Sequence, residues 1–431
     1  MKLLCLSNGH GEDAIAVRIL KELQQRPNAP KIAALPIVGE GQAYTELGIP
    51  LIAPTRKMPS GGFIYMDGRH LWRDIRSGLL QLLWWQFRAV QGWKQQGGII
   101  LAVGDIVPLL LAWLSGAPYA FVGTAKSEYY LRDEAGPLPR RSQAQRWEGW
   151  SGSVYLPWER WLMSRKRCKA VFPRDSLTAE ILQKWSIPAF DLGNPMMDDL
   201  EPETPRAVFY ASDAEKVEQA RSLTITLIPG SRAPEAYANW QQILPTLAGV
   251  MEAFRDRTVL FLGAIAPVLS LDPLREALEA EGWRLVNPES PGHFLGTQHS
   301  ALSTQAASVF TQGKSTLILT QRAFGDCLQQ GDFAIAMAGT ATEQFVGLGK
   351  PAIAIPGKGP QFTPAFAEAQ TRLLGPSLIL AKQPREVAEI VRSLLRDPDR
   401  LQLIADNGRR RMGKPGSADR IADCLMEKLL G

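Results

Sequence analysis

Short apolar runs alternate with amphipathic stretches along this chain, and the pattern occurs twice. In the first half, Lys2–Leu6, Ile32–Leu35, Pro50–Ala53, Ile99–Val103, Tyr119–Val122, Ala170–Phe172 and Phe190–Leu192 read as strands. They are short and apolar, with Gly, Pro or Asn at their borders, as buried parallel strands are. Between them Ala14–Gln25, Leu71–Gln95, Pro108–Leu114 and Leu177–Trp185 read as helices. In the second half the expected strands are Thr224–Ile228, Val259–Leu262, Leu317–Leu319, Phe333–Ala336, Ala352–Ile355 and Leu378–Leu380. The helices there are Glu235–Phe254, Pro273–Glu281, Ala323–Gln329, Glu343–Leu348, Thr363–Leu374 and Pro384–Leu395. Strand–helix alternation of this kind places helices on both faces of a parallel sheet. The expected class is α/β, with two Rossmann-like doubly wound domains facing a cleft. Glu201–Ala220, with Pro202, Pro205 and a charged run, is a linker by composition. The expected domains are 1–200 and 221–415, and the helix after Gly416 can pack on either.

A length of 431 residues allows two or three domains. Four widely spaced cysteines without a CxxC pair exclude a disulfide framework and a zinc ribbon, and fit a reducing compartment. Four histidines argue against a His-rich metal site. The longest apolar run, Ile106 to Leu114, falls far short of the ~20 residues a spanning helix needs. The opening MKLLCLSNGHGED reads as a first strand rather than a signal peptide. The net charge of +5 is unevenly spread. Residues 1–195 carry 24 Lys and Arg against 16 Asp and Glu, and ten of the twelve tryptophans. A basic, aromatic half suggests a nucleic-acid face or an anionic membrane surface.

Four segments carry the chemistry. Ser7–Asp13 (SNGHGED) joins the first strand to the first helix, where open α/β sheets bind ligands. Gly9 and Gly11 allow close backbone approach, and His10, Glu12 and Asp13 offer acid–base groups, while Asp13 can equally serve as a helix cap. Asp105, in AVGDIVP, stands just past an apolar strand; it can face the same site as His10 or cap the helix at Pro108. In LIPGSRAPE, Gly230 and Ser231 present backbone N–H groups to a phosphate and Arg232 offers a planar fork. In AMAGTATEQFVGLGKP, the turn Gly339, Thr340, Ala341, Thr342 repeats the arrangement. Two such loops suit a nucleoside diphosphate. Neither matches the dinucleotide fingerprint or the P-loop, which disfavours NAD and ATP chemistry. Lys358 and Gln361, after the next strand, are placed to reach a sugar.

Eight tryptophans fall within 71–95 and 137–167. LLQLLWW (Leu79–Trp85) has six apolar residues in seven, where one core uses about three or four. Residues 137–167 interleave seven Arg and Lys with four Trp. That pattern is what a lipid interface selects. Packing between insertions or a dimer contact is the plainer reading. Nucleic acid is disfavoured, because the Trp residues neighbour aliphatics rather than forming spaced stacking platforms.

The N-terminal Gly/Glu loop, Asp105, FPRD…LGNPMMD (Phe172–Asp198), LIPGSR and AGTATEQ…GLGKP span nearly the whole chain. In this order they resemble the lipid A disaccharide synthase family of GT-B glycosyltransferases, most of all its divergent synthase-related branch found in cyanobacteria. The resemblance implies an acceptor site in the N-terminal domain and a nucleotide-sugar site mainly in the C-terminal one. It also implies that helix 416–431 joins the N-terminal domain. The implied reaction moves an N-acetylglucosamine-type sugar from UDP to a lipid, with inversion, without metal or cofactor, at the inner face of the cytoplasmic membrane. By the same resemblance Gly230, Ser231, Arg232 and Gly339–Thr342 hold the diphosphate, and Asp105 is the catalytic aspartate. Gln344 stands at the family's ribose-binding Glu, with Glu343 beside it. His10 resembles the histidine of related murein N-acetylglucosamine transferases.

The expected activity is therefore that of a hexosyltransferase, peripheral on the membrane through 71–95 and 137–167. Asp105 is ranked first as base and His10 second, with Glu12 also in the catalytic set. The alternatives are a UDP-sugar 2-epimerase-like enzyme and an inactive membrane-associated protein that binds nucleotide sugars.

Overall fold

The computed structural model describes residues 2–53, 79–139, 149–200, 222–286, 308–359 and 361–430. Two compact units divide the chain: Met1–Asp198 with Gly413–Gly431, and Asp199–Met412. The expected linker, 201–220, lies outside the described residues.

The first unit runs β1 (Lys2–Ser7), α1 (His10–Gln24), β2 (Lys31–Pro36), α2 (Gln42–Glu46), α3 (Leu79–Gln95), β3 (Gly98–Gly104), α4 (Ile106–Ser115) and β4 (Tyr119–Gly123). A small hairpin, β5 (Arg132–Asp133) and β6 (Gly136–Pro137), precedes α5 (Pro157–Met163), β7 (Cys168–Phe172) and α6 (Ser176–Gln183). Its five-stranded sheet has the order β2-β1-β3-β4-β7 and is parallel throughout. Side chains alternate across β1, so both faces must be covered. Leu3 and Cys5 enter one core with Ile19 and Leu20 of α1. Leu4 and Leu6 enter the other with Val90 of α3 and Leu109 and Ala112 of α4. The expected strands at 50–53 and 190–192 shrink to single bridges, Ala34 with Leu51 and Val171 with Ala189. Pro50 and Pro188 lend a carbonyl each but have no N–H to extend a ladder.

The second unit runs β8 (Leu223–Ile228), α7 (Glu235–Ala253), β9 (Val259–Ala264), α8 (Asp272–Ala280), β10 (Arg284–Leu285), β11 (Ser308–Gln312), β12 (Ser315–Thr320), α9 (Phe324–Gln330) and β13 (Phe333–Ala336). It continues with α10 (Thr340–Gly347), β14 (Ala352–Ala354), α11 (Pro364–Leu374), β15 (Leu378–Leu380), α12 (Val387–Leu395) and α13 (Pro398–Met412). The sheet order is β10-β11-β12-β9-β8-β13-β14-β15. It is parallel from β12 to β15, with β10 and β11 added antiparallel at one edge. Trp240 of α7 is fully buried, and its indole N–H donates to the Leu274 carbonyl at 3.3 Å.

The last helix, α14 (Ser417–Leu425), belongs to the first unit and packs on α1. Asp198, the final residue of the LGNPMMD segment, caps it. One carboxylate oxygen accepts the N–H groups of Gly416 (2.7 Å) and Ser417 (3.0 Å), and the other that of Ala418 (2.7 Å). A carboxylate there also complements the positive end of the helix dipole. Ile421 and Leu425 complete the core on that face of the sheet. Among the described residues, no helix is long and apolar enough to cross a membrane.

Candidate functional site

In the first unit the expected acid–base residues gather at the carboxyl ends of β1 and β3. The helix begins earlier than the sequence suggests, so His10, Gly11, Glu12 and Asp13 form its first turn rather than a loop. Gly9 is the cap residue, and the Asp13 N–H donates to its carbonyl at 2.7 Å. Asp13 does not cap α1. Its buried carboxylate accepts the Ser7 hydroxyl (2.5 Å), which accepts the Tyr44 hydroxyl (2.6 Å), fixing the end of β1 against α2. The His10 side chain lies outside the described residues.

Asp105 does cap α4: its Oδ1 accepts the Val107 N–H at 2.8 Å. The backbone before it turns at Gly104, at φ +131°, a conformation a side chain rarely adopts. A Cβ there would also lie 3.1 Å from the Asn8 side chain, whose amide hydrogen-bonds the Asp105 carboxylate. Burial pushes the Asp105 carboxyl above its ordinary range, opposed by Asn8, Val107 and the positive charge of Lys126. Burial also raises Glu12, and the charges of Asp105 and Asp13 raise it further, while Thr124 donates to it at 3.4 Å. Capping and a place in the site are thus compatible for Asp105.

Asn8, Thr124 and Lys126 complete this cluster and were not singled out from the sequence. Thr124 and Lys126 follow β4 as Asp105 follows β3, so the strand-end rule applied to Val122 points to them. Glu159, in the first turn of α5, grips Lys126 with both carboxylate oxygens (2.7 and 2.5 Å) and leaves no comparable signal in the sequence.

In the second unit, three loops meet at the carboxyl ends of the adjacent strands β8, β13 and β14. Gly230, at φ +103°, turns the chain after β8 and is followed by exposed Ser231 and half-buried Arg232. After β13, Gly339 caps α10, so Thr340, Ala341 and Thr342 lie in a helical first turn. That start is three residues earlier than expected, and it changes the hydroxyls on offer. Thr342 is buried and donates to the Ala338 carbonyl at 2.6 Å, whereas Thr340 is exposed. Glu343 and Gln344 are both buried. After β14 come exposed Lys358 and half-buried Gln361.

Side chains that the sequence reading passed over hold these loops together. Asn239 of α7 donates to the carbonyls of Pro229 (3.0 Å) and Met337 (3.3 Å). Gln370 of α11 donates to those of Ala338 (3.1 Å) and Gly339 (3.2 Å). The structure therefore brings Gly230–Arg232, Gly339–Gln344, Lys358 and Gln361 to the carboxyl end of one sheet. Loops that end strands beside helix N-termini suit an anionic ligand.

A third feature lies on the first unit. Helix α4 packs against both α3 and α5. Trp84 and Trp85 of α3, Leu110 and Leu114 of α4, and Trp158 and Trp161 of α5 are each between 40% and 53% exposed. Trp113 and Trp161 meet edge to face at 5.2 Å. Arg88 stacks over Trp84 (4.0 Å) and Arg165 over Trp161 (4.4 Å). Of the two expected membrane segments, residues 71–78 and 140–148 and the side chains of Leu79–Leu83 lie outside the described residues. Leu110 and Leu114 belong to neither segment.

No protein-family model matches the chain, and no curated protein matches it. Solved structures do. MurG of Acinetobacter baumannii is 14% identical over 99% of this chain and 99% of its own, with a TM-score of 0.55. A putative UDP-N-acetylglucosamine 2-epimerase from Listeria monocytogenes is 14% identical over 99% and 96%, with a TM-score of 0.53. S. aureus MnaA, solved with UDP, is 11% identical over 100% and 97%, with a TM-score of 0.52. At such identities the likeness establishes the fold alone: the chain has the GT-B fold, with two Rossmann-like, doubly wound units.

Proposed function

We propose that this protein is an inverting glycosyltransferase. It moves an N-acetylglucosamine-type sugar from a UDP-sugar to a lipid-linked acceptor at the inner face of the cytoplasmic membrane, as the lipid A disaccharide synthases it resembles do. The observation that carries the lipid acceptor is the exposed face of α3, α4 and α5. Among the described residues these three helices carry one carboxylate, the buried Glu159 held by Lys126, while Arg88, Lys94 and Arg165 supply positive charge. Exposed Trp and Leu set among Arg and Lys match an anionic bilayer interface. UDP-sugar binding is supported by the three loops at the carboxyl end of the second sheet and by a solved structure of the same fold that carries UDP.

Asp105 acts as the base. It takes the proton of the acceptor hydroxyl, whose oxygen attacks C1 of the sugar. The bond from C1 to the diphosphate oxygen breaks, and its electron pair leaves with UDP. Arg232, the N–H groups of Gly230 and Ser231 and the start of α10 meet the developing charge, the role a metal plays elsewhere. Burial raises the Asp105 carboxyl above its ordinary range, which strengthens it as a proton acceptor. Burial raises Glu12 as well, and the charges of Asp105 and Asp13 add to that rise.

The test is lipid mass spectrometry of a deletion strain. A glycolipid lost on deletion, and restored by the wild type but not by Asp105→Asn, supports the reading. An unchanged lipid profile contradicts it. The paired buried carboxylates also favour a second reading, 2-epimerisation, since the same groups can remove a C–H proton. Solved structures described as UDP-GlcNAc 2-epimerases share the fold. Deuterium entering C2 of UDP-GlcNAc in heavy water, with no acceptor present, would select that reading.

A further inference from the structure

Glu235 ends the LIPGSRAPE segment and opens α7, yet it is not one of the expected ligand residues. It is buried, and its Oε1 accepts two backbone N–H groups from the loop after β14: Gln361 at 3.0 Å and Phe362 at 2.7 Å. Gly359 lies against the same carboxylate, since a Cβ at that position would stand 2.3 Å from Oε1. One turn further along α7, Asn239 holds the loops after β8 and β13. The two diphosphate loops are thus tied by Asn239 and Gln370, and the Lys358–Gln361 loop is tied by Glu235. A carboxylate receiving two N–H groups is a strong, charge-assisted anchor. Without it, the N–H of Phe362, itself 3% exposed, is left buried and unsatisfied.

We propose that Glu235 is a positioning residue that sets Lys358 and Gln361 against the sugar of the nucleotide sugar, and thereby governs selectivity for UDP-sugar over UDP. The inference rests on the second unit being the UDP-sugar site. Glu235 touches neither ligand and acts only through the loop. Its effect therefore falls on the part of the ligand that the loop meets.

Calorimetry with UDP and with UDP-GlcNAc on the full chain tests this. Glu235→Ala should weaken UDP-GlcNAc binding at least tenfold while UDP binding moves less than threefold. Glu235→Gln should leave both within threefold, because the amide oxygen accepts the same two N–H groups. Equal losses for both ligands, or none, in Glu235→Ala would overturn the proposal. Should Glu235→Ala fail to fold, Gly359→Ala displaces the loop from the other side and is held to the same ratio. A wild type that binds neither ligand removes the underlying reading and this inference with it. A wild type that binds both, with a ratio the variants do not change, removes this inference alone.

Discussion

Asp105 and Leu114 stand at opposite ends of one ten-residue helix. The carboxylate caps the first turn through the Val107 N–H at 2.8 Å, and the leucine is 41% exposed in the last turn. Nine residues of α-helix span roughly 14 Å. The candidate base and part of the exposed apolar face therefore share one rigid element. A bilayer touching Leu114 would sit at a set distance from Asp105.

Asp105→Asn keeps the size of the side chain and an oxygen for the Val107 N–H. Turnover should fall by about 10²–10⁴ while the melting temperature changes little. A large loss of stability instead would make capping the only role of Asp105. His10→Asn measured in parallel ranks the two bases, and a deeper loss at His10 would put it ahead of Asp105.

Glu12 should leave a signature in stability against pH. Its carboxyl is raised in the folded protein, so the fold prefers the protonated form. The unfolded chain releases the proton first, near its ordinary value of about 4.3. Wild-type stability should then fall, relative to Glu12→Gln, as pH rises from there through the folded pKa. At pH 7 Glu12→Gln should melt at the higher temperature and at pH 4 the two should converge. A Glu12→Gln protein less stable than wild type at pH 7 would show that the ionised carboxylate is held favourably.

Much of this architecture is legible in the chain, because buried parallel strands are apolar on both faces and end at Gly or Pro. Phe333–Ala336 and Leu378–Leu380 occur with the expected limits. Ser308–Gln312 escaped notice because an antiparallel strand next to the sheet edge is polar enough to pass for a loop. Both ligand-loop helices start earlier than expected, at His10 and Thr340. Glycine occupies both cap positions, Gly9 and Gly339, so the Ser, Thr, Asp or Asn that usually marks a start is missing. The residues that tie loops together, Asn239, Glu235 and Gln370, bond to backbone groups far off in sequence, and no local pattern announces such bonds.

Arg232→Ala should weaken UDP binding by roughly 2–4 kcal/mol, the usual cost of truncating one partner of a desolvated charge pair. Unchanged affinity would move the diphosphate away from the loop after β8.

On vesicles containing anionic lipid, the protein should bind and be only partly released by salt. Each basic residue near the surface contributes on the order of 1 kcal/mol and is screened by salt, whereas inserted apolar side chains are not. Replacing Trp84 and Trp85 by Gln, and Leu110 and Leu114 by Ser, should abolish the salt-resistant fraction while UDP binding persists. Complete release of the wild type by salt would mean that the aromatic face does not insert.

The most direct measurement is transfer itself. The protein is incubated with UDP-GlcNAc labelled in the sugar and with lipid extracted from its own membranes, and the label is followed between water and organic phases. The account predicts label in a lipid product, with loss of the signal in Asp105→Asn and release of one UDP per sugar moved. Label that stays in the aqueous phase, as unchanged UDP-GlcNAc or as its 2-epimer, would contradict it.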